Sequence, residues 1–253
     1  MRRRKKAGKK DGMKKGIYVL PNLFTSISLL SGFFAIISVL EGKFQYAATA
    51  ILVSFLFDGL DGTIARLTKS TSRFGIEYDS LSDLVAFGIA PSLLVFTWAL
   101  QPFGRFGWLA AFLYVACGAL RLARFNVQVD IVKGEFTGLP IPAAASLIAS
   151  TVLLFYYIGY NESTKYLTIL AMIYILSFLM VSNIKYTSFK EHGLLKRKPF
   201  SFLVTLVLLI MVIVASPQVM LFSLFLTYAL SGPFFLIPFE RRKRVGDLNE
   251  KET

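Results

Sequence analysis

Four aspartates, Asp58, Asp61, Asp79 and Asp83, stand in two pairs within 26 residues. The stretch reads Asp58-Gly-Leu-Asp61-Gly62-Thr-Ile-Ala65-Arg66 and, after eight residues, Gly75-Ile-Glu-Tyr-Asp79-Ser-Leu-Ser-Asp83. Spacings of three and four place each pair on one face of a helix. Two carboxylates about 5 Å apart repel by about 3 kcal/mol at an effective dielectric of 20. Divalent cations remove that penalty, and hard oxygen ligands suit Mg²⁺ or Mn²⁺. Four carboxylates on two helices have the capacity for two ions. A helix dipole would favour acids at a helix start but not Asp58 and Asp61 at a helix end, so interfacial charge alone does not account for the set. Gly62 and Gly75 let a ligand approach the backbone closely. Arg66, one turn from the acids, suits a phosphate or serves as a topological anchor.

The elements that must carry these residues are apolar. Hydrophobic residues make up 55% of the 253 and charged ones only 17%, a membrane composition. The chain reads as an all-α integral membrane protein of eight spans: Ile17–Leu40, Phe44–Arg66, Ser80–Leu100, Phe106–Phe125, Pro140–Tyr160, Lys165–Val181, Pro199–Ala215 and Val219–Phe239. Phe44 to Phe57 covers only about 21 Å, short of a core about 30 Å thick, so the second helix must run past Asp58. A third helix starting near Asp79 brings its acids to the same depth. The first span is too long for a signal peptide core, and no small-residue cleavage site follows it.

Of the 28 Lys and Arg residues, all but Lys43, Arg105 and Lys165 fall on one side of this arrangement. That asymmetry puts both termini and the aspartates at the cytoplasmic face of a cell membrane. It also gives the net charge of +13 a topological use and argues against nucleic acid, because the basic residues sit between apolar segments. Residues 1–16 and 240–253 read as basic tails. There is no domain linker, internal repeat or low-complexity segment. Cys117, the one cysteine, lies in an apolar run and reads as a small packing residue. His192, the one histidine, stands in a basic loop, which leaves no Ser-His-Asp or Cys-His arrangement to build. The Asn161-Glu162-Ser163 acceptor tripeptide is common by chance.

The pattern D-x2-D-G-x2-A-R-x8-G-x3-D-x3-D resembles the signature of the CDP-alcohol phosphatidyltransferase family at each of its eight fixed positions. The resemblance implies metal binding by Asp58, Asp61 and Asp79. Asp83 would contribute to that site and act as general base. Gly62, Arg66, Ser72 and Gly75 would line the site of the cytidine donor, and Pro21-Asn22 resembles the family's opening, which adds Asn22. Three further stretches, Cys117–Asn126, Phe136–Pro142 and Met180–Lys185, resemble the branch that uses serine as acceptor. They offer Arg121, Arg124 and Asn126 for acceptor or phosphate binding. The implied partners are CDP-diacylglycerol, L-serine, membrane lipids and a second copy in a homodimer.

The resemblance covers most of residues 17–190, the first six spans, and fades over 191–239, the last two. The implied reaction is a single displacement: the acceptor hydroxyl, deprotonated by Asp83, attacks the diacylglycerol-bearing phosphoryl, and CMP leaves. Glycerol 3-phosphate or an inositol phosphate are the alternative acceptors. A cation transporter is the alternative from another class, although it would place its carboxylates near the midplane.

Overall fold

A computed structural model describes residues 5–67, 72–128, 138–159, 165–184, 186 and 216–249. Among them the chain forms seven helices and no strand. These are α1 (Lys5–Leu40), α2 (Phe44–Leu67), α3 (Arg73–Phe103), α4 (Arg105–Gln128), α5 (Ile141–Ile158), α6 (Lys165–Val181) and α7 (Pro217–Asn249). Five described segments are long and apolar enough to cross a membrane: Pro21–Leu40, Phe44–Ile64, Arg73–Phe103, Arg105–Val127 and Ile141–Ile158. The sixth expected span is a shorter apolar helix. The seventh, Pro199–Ala215, lies outside the described residues, as do His192 and Asn161, and the eighth falls within α7.

The third span differs from the sequence reading. It begins at Arg73, not Ser80, because the Ser72 hydroxyl accepts a hydrogen bond from the Gly75 N–H at 3.0 Å and caps the helix there. Asp79 and Asp83 therefore sit in its second and third turns. The rod then leaves α geometry twice, in π turns at Leu84–Ile89 and Phe96–Leu100. A π turn disturbs the helical hydrogen-bond ladder, and the fully buried Tyr114 of α4 donates its hydroxyl to the Phe87 carbonyl at 3.1 Å.

α3 and α5 form the centre. Their apolar windows are 61% and 67% buried, against 28–33% for α1, α2 and α4, whose outer faces carry Phe33, Phe34, Leu56, Phe112 and Leu113. α1 packs along α2, α4 along α6, and α5 against α2 and α7. Close approach depends on small residues. A side chain at Gly32 of α1 would overlap Ala86 in the first π turn, and one at Gly118 of α4 would overlap Ile141 of α5. Between α1 and α2 the turn is closed by Gly42 at φ 72°, and the nearby Lys43 is ion-paired with Glu41 at 2.8 Å.

Candidate active site

α2 and α3 run past one another beside the middle of α1, at Asn22 to Ser26. α2 runs through both of its aspartates, as the depth argument requires. One oxygen each from Asp58, Asp61 and Asp79 lies within 4.8 Å of the others. Asp83 stands one turn deeper, 9% exposed, with its carboxyl in hydrogen-bonding range of Asp58. The donor set is all oxygen, and Asp79 Oδ1 is buried with no hydrogen-bond partner among the described residues. A buried, partnerless carboxylate oxygen facing two more carboxylates fits a hard divalent cation.

Besides Asn22, α1 supplies Thr25 and Ser26, which the sequence reading missed. Thr25 donates its hydroxyl to Asp61 Oδ2 at 2.8 Å, and Ser82 of α3 donates to the Thr25 carbonyl at 3.2 Å. The Ser26 hydroxyl lies 2.9 Å from the Tyr78 hydroxyl. The available signal was spacing, since Thr25 and Ser26 follow Asn22 by three and four residues and share its face. A side chain at Gly75 would crowd Ser72 Oγ and Asn22 Oδ1, at 3.1 and 3.3 Å, so these three residues meet at one place. Gly62, next to Asp61, has nothing within 4 Å of where a Cβ would stand, which leaves open space beside the acids. Arg66 lies in α2 with its side chain outside the described residues.

The described parts of the three remaining stretches converge on the C-terminal end of α4. Arg124 donates from Nη2 to Asn183 Oδ1 at 2.8 Å. The Gly138 N–H bonds the Ile184 carbonyl at 2.8 Å, and the Leu139 N–H bonds the Leu179 carbonyl at 3.0 Å. Asn126 donates to Glu77 and accepts from Ser80, both at 3.1 Å, which ties α4 to the first turns of α3. Arg121 differs from its neighbours. Its Nε is buried without a hydrogen-bond partner among the described residues, and its charge interacts with Asp83 and Tyr228. The two arginines thus differ, Arg124 being bonded to the loop at Asn183 while the Arg121 Nε is buried without a hydrogen-bond partner among the described residues.

With this geometry in place, comparison with known proteins is specific. A profile of the CDP-alcohol phosphatidyltransferases matches residues 18–174. A CDP-diacylglycerol–serine O-phosphatidyltransferase of Helicobacter pylori is 44% identical over 176 residues, covering 69% of this chain and 74% of that one. The archaetidylserine synthase of Methanothermobacter thermautotrophicus is 40% identical over 170 residues, 66% of this chain and 69% of its own. A Bacillus subtilis CDP-diacylglycerol–serine O-phosphatidyltransferase is 37% identical over 174 residues, 69% of this chain and 93% of its own. Motif, helical frame and matched length agree, and this chain belongs to the CDP-alcohol phosphatidyltransferase family.

Proposed function

We propose that the chain is an enzyme of phosphatidylserine synthesis, moving the phosphatidyl group of CDP-diacylglycerol to the hydroxyl of L-serine with release of CMP. The observation that carries this is the buried Asp83 beside the Asp58, Asp61 and Asp79 group. The relatives' names support the acceptor: their lipids differ, diacylglycerol in two and archaetidyl in the third, but serine is common to all three.

Asp58, Asp61 and Asp79, with Asp83 at the edge, would hold Mg²⁺ or Mn²⁺, in two ions. Bound there, the metal supplies positive charge that neutralises the diphosphate and the departing CMP phosphate. Asp83 takes the proton of the serine hydroxyl. The new bond forms between that oxygen and the lipid-bearing phosphorus, and the bond from this phosphorus to the CMP oxygen breaks with its electron pair leaving on CMP. Asn22, Gly62, Arg66, Ser72 and Gly75 border the donor nucleotide. Arg121 holds the serine carboxylate, for which a guanidinium offers two parallel donors. The acyl chains stay in lipid while the diphosphate meets the aspartates at the cytoplasmic headgroup plane of the cell membrane. The same reading takes the chain as a homodimer, on the family resemblance.

The test is CMP release from CDP-diacylglycerol with serine, glycerol 3-phosphate and inositol phosphate offered in turn. Serine-dependent release is expected. Release that follows another acceptor, with none for serine, would replace the acceptor assignment and keep the chemistry.

A further inference from the structure

The first turns of α3 meet a different neighbour on each side. Tyr78 and Ser82, four residues apart, face α1: the Tyr78 hydroxyl lies 2.9 Å from that of Ser26, and Ser82 donates to the Thr25 carbonyl. Glu77 and Ser80, three apart, face α4 and meet there in one side chain. Asn126 donates from Nδ2 to Glu77 Oε2 and accepts the Ser80 hydroxyl on Oδ1, both at 3.1 Å. At about 3.6 residues per turn, Asp79 and Asp83 fall between these two bonded faces. The remaining side carries Phe74 and Leu81, which are exposed.

Rotation of α3 about its own axis decides whether Asp79 meets Asp58 and Asp61. Repulsion among the charged carboxylates drives that rotation the wrong way, so the restraint must come from the flanking faces. On the α4 side it comes through one amide. A carboxylate accepts only, so the Asn126 N–H must face Glu77, which leaves the amide oxygen for the Ser80 hydroxyl.

We propose that Asn126 is a positioning residue for Asp79. Bonded to residues 77 and 80, on either side of that aspartate in the chain, it keeps the acid face of α3 turned toward α2. The family resemblance offers Asn126 to the acceptor or a phosphate, but both ends of its amide are engaged within the protein. The proposal rests on the reading of Asp79 as a metal ligand.

Two quantities are measured on the full chain in detergent. One is the Mg²⁺ dissociation constant, by calorimetry; the other is the serine KM in mixed micelles with CDP-diacylglycerol at saturating Mg²⁺. Asn126→Asp sets two carboxylates against each other, and Asn126→Ala removes both bonds. Each should raise the Mg²⁺ dissociation constant roughly tenfold or more and leave the serine KM within about twofold. Glu77→Gln alone should be silent. Added to Asn126→Asp, it exchanges amide and carboxylate, rebuilds the bond, and should return the dissociation constant to within about threefold of wild type. Added to Asn126→Ala it should restore nothing, which separates the bond from the net charge. A loss in Asn126→Asp that Glu77→Gln leaves in place overturns the proposal. An unchanged Mg²⁺ affinity in Asn126→Ala does the same, whatever its melting point, and a raised serine KM beside it returns Asn126 to the acceptor. Unaltered Mg²⁺ affinity in Asp79→Asn removes the metal reading and this proposal together. Should neither Asn126 variant fold, Ser80→Ala removes one of the two bonds, and undiminished Mg²⁺ affinity there also overturns the proposal.

Discussion

The partnerless Oδ1 of Asp79 sits within a group of carboxylates drawn to within 4.8 Å, so in the absence of cation these residues work against folding. Replacing one charge by an amide should therefore stabilise the metal-free protein and disable it. In excess chelator, Asp79→Asn is expected to melt above wild type. With Mg²⁺ restored, its kcat should lie at least about 10²-fold below wild type, and that of Asp83→Asn about 10²- to 10⁴-fold below. Mg²⁺ should raise the melting midpoint of wild type but not of the combined Asp58→Asn, Asp61→Asn, Asp79→Asn variant. An equal response of the two proteins to Mg²⁺ would place the metal elsewhere. The two arginines of α4 should part company in the same assays. Arg121→Ala is expected to raise the serine KM roughly 10- to 150-fold, the loss of a charge-assisted contact. Arg124→Ala should instead lower the melting midpoint, because its bond is to Asn183, and leave the serine KM within about threefold. The reverse pattern would exchange their roles.

At the scale of elements, the loop pairing beneath α4 depends on Gly138. It has φ 83°, and a side chain there would run into the Met180 carbonyl. Gly138→Ala meets both a left-handed backbone and a backbone wall, so a loss of at least about 2 kcal/mol is expected in chemical denaturation. A variant as stable as wild type would show that the loop can repack. The sequence made the apolar rods legible through their length, and the aspartate quartet through its spacing. The start of α3 was hidden for a reason visible in the residues. Ser70, Thr71 and Ser72 are all competent caps, and the polar first turns from Arg73 to Asp83 carry no membrane signal. The joining of Arg124 to Asn183 and of Tyr186 to Ala229 was not legible either. Each pair is more than forty residues apart in the chain, and no local pattern encodes which loop folds back on which helix.

For the whole molecule, the basic asymmetry predicts which face is reached from outside. In a Cys117→Ala background, cysteines at Gly42 and Asn161 should react with an impermeant thiol reagent on intact cells, and those at Ser70 and His192 should react only after lysis. Inverted labelling would turn the molecule over and strand the aspartates away from cytoplasmic CDP-diacylglycerol. A different kind of consequence follows from the π turn at Leu84–Ile89. An α-helix advances about 100° per residue, so the extra residue in that turn sets everything after it about 100° out of phase with what precedes it. The helix thus holds two angular frames, one that aims Asp79 and Asp83 and one that seats Ala90 and Leu94 in the core. Loss of a single codon within residues 84–89 would heal the backbone into continuous α geometry up to Val95. It would also merge the two frames, leaving a chain with every helical bond intact whose acids and core can no longer face their partners together.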